Sequence, residues 1–421
     1  MVTQMQNEEI LKQNQTINEK KYLHLISMLM QIILVFFSVF FSIYVYEISN
    51  DLTFVMLYTM FQVVMFKLVE VIIYKFASEK LLRVLFKLSF LFSLISILLV
   101  FTISSNSLYM VFVTQFFYAL AMVFYYMPSE IATMDKNSKS QMKKFIGINS
   151  ILSLFAKVLS PFLSGYIIDY VSYYVLFAIC SIVALACFVL SFKIKKLCEV
   201  EQTISYKKFF KTLHSYSGVK MGYLGYSLFK FSQDGVIDVI LPVLIFVKTG
   251  GNFSVGLYAA LATLVAGIAL IIYLFLCKNK PVAMYVATAF LAVVSLLILV
   301  FDSMLMFFIY YFVKKITYEI LCNGAFESVF NIAKNTSMEP YKIEQHLTFS
   351  LYNGVFVVVA YLISLAIYNF VSSDISLPLI FAILSLIQIA STILIVKSDK
   401  LREQDGDKIV SAQNLTQNEN N

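Results

Sequence analysis

Long apolar runs dominate this sequence and decide what it can fold into. A membrane-spanning α-helix needs roughly 20 mostly apolar residues, and the chain offers twelve stretches of about that length. A transmembrane β-barrel would instead show short strands of alternating polarity. The predicted spans lie at residues 22–48, 52–76, 82–103, 107–128, 144–169, 172–192, 221–247, 253–276, 282–301, 303–326, 346–372 and 375–396. The sequence therefore predicts an all-α polytopic membrane protein with twelve transmembrane helices.

The composition supports this class and excludes others. Hydrophobic residues make up 60% of the 421 residues and charged residues 14%, whereas soluble domains average about 45–50% and about 25%. A water-soluble enzyme, a secreted disulfide scaffold and a disordered chain are excluded. The five cysteines and three histidines are scattered without the spacing of a metal site, so we expect no metal and no cofactor.

Catalytic motifs are absent from the sequence. It contains no phosphate-cradling glycine-rich loop, no nucleophile elbow and no zinc-protease signature. We therefore expect no enzymatic activity. Because a nucleotide-binding motif is also missing, any transport would be driven by an ion or substrate gradient.

The distribution of basic residues predicts the topology. All but six of the 32 lysine and arginine residues lie in the two tails, in the links that follow the even-numbered spans, or at the edges of those links. Cytoplasmic segments carry such an excess of positive charge, so we expect both termini on the cytoplasmic side. The net charge of +7 then reflects topology and attraction to anionic membrane lipids. It does not indicate a nucleic-acid partner.

The same pattern predicts the domain organisation. A basic segment at 193–220 separates two groups of six spans, and it reads either as a plain linker or as carrying a short amphipathic surface helix around 204–214. The predicted parts are a cytoplasmic tail at 1–21, a six-helix bundle at 22–192, the central loop at 193–220, a second six-helix bundle at 221–396 and a cytoplasmic tail at 397–421.

Two six-helix groups around a long basic loop resemble the major facilitator superfamily, whose halves are repeats around a midplane site. The fifth span carries a segment that resembles the glycine-proline motif of its efflux members. Upstream, residues 124–128 (FYYMP) and Asn149 resemble the passage from helix 4 to helix 5 in macrolide and siderophore exporters. The residues that carry the helix 5 motif are Ser160, Pro161, Ser164 and Gly165.

The chain also departs from the family pattern. The loop after the second span should carry Gly-x-x-x-Asp-Arg-x-Gly-Arg-Lys, but residues 74–83 read YKFASEKLLR. Helix 4 of proton-coupled drug antiporters has a membrane-embedded arginine, and the best match here is Gln115. Ser160 and Ser164 replace glycines but remain small enough for close helix packing.

Charged side chains within the spans are the strongest functional candidates. Burying each costs about 2.5–3.5 kcal/mol, so such residues usually face a cavity or a partner. In the seventh span the charged residues recur at four-residue steps, which predicts a stripe of charge on one face of the helix. The tenth span holds a second group of charged residues. The resemblance implies that helices 7 and 10 line the central cavity. The candidates for substrate binding or proton coupling are Lys230, Asp234, Asp238, Lys314, Lys315 and Glu319.

Two interpretations of these charges stay open. A carboxylate in such a site can take up and release a proton as access alternates, with Asp234 or Asp238 the first choice and Glu319 next. The lysines would then bind an anionic group or balance the carboxylates. Alternatively, Lys230 pairs with Asp234 and Lys315 pairs with Glu319 as structural ion pairs.

The remaining charges within the spans suggest structural or gating roles. Lys67 and Glu70, three residues apart, read as a self-neutralising pair or as one end of a latch between the halves. Glu130 reads as a cytoplasmic gate or a helix cap. Lys157 either finds a carboxylate on a neighbouring helix or faces the cavity. We assign no role to Glu47 or Asp169, which lie at helix ends reached by water.

The leading hypothesis is a secondary active transporter in the plasma (cell) membrane. We expect a monomer that exports a moderately apolar small molecule by alternating access, as a proton-coupled antiporter. One alternative is import of an anionic or polar metabolite bound by Lys230, Lys314 and Lys315. Another is a transport-degenerate relative that acts as a receptor or immunity protein.

Overall fold

The computed structural model describes residues 21–76, 78–135, 139–194, 217–233, 235–301, 303–335 and 342–418. Within these ranges the regular structure is helical, and no strand is present. In chain order the helices are α1 (Lys21–Ser49), α2 (Leu52–Lys75), α3 (Glu79–Val100), α4 (Tyr109–Asp135), α5 (Lys139–Tyr170), α6 (Tyr173–Ser191), α7a (Ser217–Gln233), α7b (Val236–Thr249), α8 (Asn252–Phe275), α9 (Lys280–Val300), α10 (Met304–Asn335), α11 (Lys342–Phe370) and α12 (Ser373–Asn418).

Short polar signals separate these apolar helices. The Ser78 and Ser172 hydroxyls accept hydrogen bonds from the N–H groups of Leu81 and Val175, which caps the starts of α3 and α6. Asn50, with φ of 50°, ends α1 in the left-handed conformation that asparagine tolerates. These residues start a span or end one within a short connection, as a polytopic chain requires.

Nine helices in the described part of the chain are long and apolar enough to cross a membrane. They coincide with nine of the twelve predicted spans and support a multi-pass membrane protein. The predicted spans 144–169, 221–247 and 303–326 correspond to α5, to α7a with α7b, and to α10, which are not among the nine. The count of twelve and the cytoplasmic termini therefore stay predictions.

Two compact units divide the chain. Unit 1 consists of the described parts of Met1–Asn50, Phe76–Glu201 and Gly250–Ala260, and unit 2 of those of Asp51–Lys75, Gln202–Thr249 and Leu261–Asn421. α2 thus belongs to the same unit as α7a, α7b and α9–α12. The first residues of α8 belong to unit 1, and the rest of this helix belongs to unit 2.

Unit 1 has an aromatic core. A π-helical turn at Phe36–Phe40 interrupts α1 and presents several rings to the neighbouring helices. The Phe37 ring stacks on Tyr118 of α4 with centroids 3.9 Å apart, and the Phe36 ring meets Phe177 of α6 edge-on at 5.2 Å. Aromatic pairs of this kind add about 0.5–1.5 kcal/mol beyond their burial, so they position α1 firmly.

Unit 2 packs around a second apolar core. α7a lies against α12, α9 contacts α10 and α12, and α2 lies against α11. The core cluster consists of Tyr226, Phe229, Tyr273, Met284, Ile320, Leu321, Ile395 and Val396. This packing brings the charged segment of α10 beside α7b.

Candidate functional site

The seventh predicted span is interrupted in its middle. α7a ends at Gln233 and α7b begins at Val236. Gly235 has φ of 86°, a conformation that residues with a Cβ rarely adopt. A Cβ at Gly235 would also lie 2.8 Å from Cε2 of Tyr361 on α11. Both the backbone conformation and the close approach of α11 therefore require glycine at this break.

The break corrects one sequence prediction. The four-residue spacing predicts Lys230, Asp234 and Asp238 on one face of a continuous helix. The left-handed glycine interrupts the helical register between Lys230 and Asp238, so the prediction of a continuous stripe is wrong. Asp234 itself lies outside the described residues.

Asp238 lies in the first turn of α7b. The N-terminus of a helix carries a partial positive charge from its free N–H groups, which favours a carboxylate there. The carbonyl of Gly235 accepts a hydrogen bond from the N–H of Val239 at 3.1 Å, so a new helix starts here. This helix start places Asp238 in a favourable position. This electrostatic advantage exists only because the helix is broken.

Two lysines of α10 share the Asp238 carboxylate. The Lys314 ammonium donates a hydrogen bond to Asp238 Oδ1 and forms an ion pair with it. Nζ of Lys315 lies 3.4 Å from the same oxygen. The Lys314 side chain is 1% exposed, whereas Asp238 and Lys315 keep 32% and 30% exposure. We call these three residues the α7b–α10 cluster; one side of it is buried and the other is open.

Tyrosines surround the cluster. The Lys315 ammonium lies 5.7 Å from the centre of the Tyr311 ring, within the range of a cation–π contact. Tyr310 is fully buried and stacks on Phe381 of α12 with centroids 5.1 Å apart. Its hydroxyl lies 3.3 Å from Oγ of Ser385. Stacking and hydrogen bonding fix Tyr310 and thereby the segment of α10 that carries the lysines.

The other two candidates of helices 7 and 10 lie in different surroundings. Nζ of Lys230 lies 5.5–5.7 Å from the ring centres of Tyr226, Phe229 and Tyr318. Glu319 lies one turn after Lys315 on α10. In the described part of the structure the ion pairs of Lys315 are with Asp238 and not with Glu319. The alternative pair of Lys230 with Asp234 falls on an undescribed residue.

The remaining predicted charges lie outside this cluster. Lys67 and Glu70 form an ion pair of 3.0 Å on α2, and Glu70 is 4% exposed. The absence of a side chain at Gly354 of α11 leaves room for the Lys67 stem. Lys157 is exposed on α5, and the side chain of Glu130 lies outside the described part.

The helix 5 motif contacts the start of α8 within unit 1. Ser160 and Ser164 are buried. A Cβ at Gly256 of α8 would collide with the carbonyl oxygen of Pro161, and one at Gly165 would lie 2.5 Å from the carbonyl oxygen of Asn252. The motif therefore allows a close backbone crossing, as small residues do between membrane helices.

Sequence reasoning missed Gln233, the last residue of α7a. Its side chain is 1% exposed, and neither amide atom has a hydrogen-bond partner in the described structure. A buried group of this kind costs about 1–3 kcal/mol unless something satisfies it. Gln233 is therefore a further candidate for contact with a polar substrate, and only its position two residues before Gly235 signals this in the sequence.

Comparison with known proteins decides the family. Residues 23–338 match the profile of the Major Facilitator Superfamily. The chain belongs to the Major Facilitator Superfamily. The match covers about three quarters of its length, and it confirms the resemblance at the level of the superfamily. No curated protein sequence matches the chain.

Solved transporter structures share its fold. A bacterial homologue of the iron transporter ferroportin in an inward-facing state matches with a TM-score of 0.63 at 12% identity, covering 91% of this chain and 98% of that one. The nucleoside transporter NupG matches with a TM-score of 0.65 at 9% identity, covering 90% and 99%. At these identities the likeness extends to the fold. The chain is thus a multi-pass membrane protein with the fold of Major Facilitator Superfamily transporters.

Proposed function

We propose that the chain is a secondary active transporter that exports a small molecule across the plasma membrane in exchange for protons. The observation that carries this proposal is the α7b–α10 cluster, in which one carboxylate bridges two lysines between two helices of unit 2. Charges are retained within membrane-spanning structure at a considerable cost. Movement of ions or substrates is a common reason to retain them.

The cluster suggests a coupling mechanism. A proton on Asp238 cancels the charge that attracts Lys314 and Lys315, so α7b and α10 lose their electrostatic link. Loss of the proton restores it. Because Asp238 and Lys315 are each about one third exposed, a proton or a substrate charge can reach this side of the cluster. Alternation between the linked and unlinked states would couple proton movement to a conformational change.

Export as the direction is supported by the helix 5 motif, which resembles that of efflux members and packs closely on α8. The abundant aromatic side chains, 16% of all residues, suit a moderately apolar substrate. Lys230 and its three surrounding rings supply such a surface near α7a.

A second candidate function rests on the charge balance of the cluster. Two ammonium groups face one carboxylate, which leaves one excess positive charge among these three side chains. An anionic substrate could compete with Asp238 for Lys315, the more exposed lysine. This arrangement favours an anionic metabolite as the substrate, which fits the alternative hypothesis of an importer.

Reconstitution into liposomes distinguishes the two functions. We expect purified protein to move ethidium, an apolar cation, only while a pH gradient is present and to stop when a protonophore collapses it. Transport of carboxyfluorescein, an organic anion, would instead support the second candidate.

If the anion is transported, Lys315→Gln should slow its transport about tenfold, equivalent to about 1.4 kcal/mol. The control Lys220→Gln, at an exposed lysine of α7a, should not. If a broad panel that includes both dyes never moves, the transport proposal is contradicted and a receptor role is favoured.

A further inference from the structure

A carboxylate of α5 caps the start of α8. Oδ1 of Asp169 accepts hydrogen bonds from the backbone N–H and the side-chain amide of Asn252, at 3.0 and 3.1 Å. Oδ2 accepts from the backbone N–H of Phe253 at 2.7 Å. The first N–H groups of a helix have no partner within the helix. Asp169, 83 residues away in sequence, supplies both partners and the negative charge that a helix start favours.

The same contact extends to two further helices of unit 1. The Tyr173 hydroxyl, at the start of α6, lies 2.6 Å from Oε2 of Glu47 and 2.9 Å from Oδ1 of Asn252. Glu47 belongs to the last turn of α1. The ends of α1, α5, α6 and α8 thus meet in one hydrogen-bonded network. Sequence reasoning assigns no role to Glu47 or Asp169, so the structure adds both residues.

Apolar contacts reinforce this end of the crossing between α5 and α8. The Phe253 ring lies 5.6 Å from Phe162, 6.3 Å from Tyr166 and 6.2 Å from Tyr170, all three on α5. Further along the crossing, Gly165 brings the two backbones together. The crossing therefore has a tight backbone contact along its length and a charged contact at its end.

We propose that the contact of Asp169 with Asn252 and Phe253, the α5–α8 clasp, is a releasable latch. It holds the start of α8 on α5 in one conformation of the transport cycle and opens in the other. The clasp is built for release because Asp169 is exposed, so water can replace its partners when it opens. Gly250, two residues before α8, has φ of 72°, and no atom lies within 4 Å of the point that a Cβ would occupy there, which provides a hinge. This inference rests on the proposed alternating-access function.

Hydrogen–deuterium exchange of the purified full chain tests the clasp without a substrate. In Asp169→Ala, peptides covering 250–256 should exchange about tenfold faster or more, because even one charge-assisted hydrogen bond contributes enough free energy for that factor. Asp169→Asn, which keeps the size and one acceptor, should fall between Asp169→Ala and the parent protein. Asp51→Asn is the matched control, since Asp51 accepts from the N–H of Thr53 at 2.8 Å at the start of its own helix α2. Unchanged exchange in Asp169→Ala would overturn the clasp.

A cross-link tests whether the clasp opens. Cysteines replacing Tyr170 and Phe253, joined by a short bifunctional reagent, should slow exchange in 250–256 below the level of the same variant without the reagent. Cysteines replacing Tyr166 and Tyr170, both on α5 with ring centres 4.6 Å apart, give a cross-link within one helix that should have no effect. If the cross-link between helices leaves exchange unchanged, the contact is permanent and the latch is refuted. This result does not depend on dye transport, so failure of the latch and failure of the proposed function are separable.

Discussion

Replacing Asp238 with asparagine is expected to reduce the free energy of unfolding by about 3 kcal/mol. Removing one partner of a buried ion pair costs about 3–5 kcal/mol because the other charge is left uncompensated, and we take the lower end since Asp238 is 32% exposed. The loss falls mainly on Lys314, which is 1% exposed. The chain has no tryptophan, so helix loss on heating is best followed by circular dichroism in detergent.

The double variant Asp238→Asn with Lys314→Met isolates the cause. It removes the buried ammonium group together with its carboxylate, and methionine keeps much of the apolar stem. Its stability should therefore recover most of the loss seen in Asp238→Asn. Lys315→Gln, which leaves the buried pair of Lys314 and Asp238 intact, should cost about 1 kcal/mol or less. Equal losses in all three variants would show that the ion pair does not determine stability.

Replacing Gly235 with alanine is expected to destabilise unit 2 and to disturb the start of α7b. An L-residue in the left-handed conformation costs roughly 1–2 kcal/mol. The new methyl group would in addition lie 2.8 Å from Cε2 of Tyr361, and overpacking of this kind adds about 1–3 kcal/mol. The expected total is about 2–5 kcal/mol. Any shift of α7b would also displace Asp238 from the two lysines.

Gly250→Ala is the matched control for this prediction. Gly250 has φ of 72°, close to that of Gly235, but open space around its Cβ position. The Gly250→Ala variant therefore bears the conformational cost without the collision. Thermal unfolding followed by circular dichroism should show a clearly smaller loss of stability for Gly250→Ala than for Gly235→Ala. Equal losses would mean that Tyr361 does not restrict the break.

The sequence was informative about the membrane helices and about which helices carry charge. Twenty-residue apolar runs permit little besides a membrane helix, and nine of them form helices long and apolar enough to cross a membrane in the described structure. Lysines 314 and 315 were likewise recognisable because charge is rare in such runs. The resemblance to the superfamily agrees with the match over residues 23–338.

The partners of these charges were not predictable from spacing. Periodicity assumes an unbroken helix, and the sequence around Gly235, SQDGVID, contains only one glycine to indicate a break. The left-handed glycine packs against Tyr361, which lies more than 120 residues away in sequence. The sharing of Asp238 between both lysines, and the capping of α8 by Asp169, likewise depend on tertiary contacts that local patterns do not encode.

Proton-driven transport by the Asp238→Asn variant is the most direct test of the central claim. Liposomes containing equal amounts of folded parent protein, Asp238→Asn or the charge-conserving Asp238→Glu are given the same pH gradient, and ethidium movement is recorded. The account predicts gradient-dependent transport by the parent, partial transport by Asp238→Glu, and none above protein-free liposomes by Asp238→Asn. Gradient-dependent transport by Asp238→Asn at the rate of the parent would contradict it.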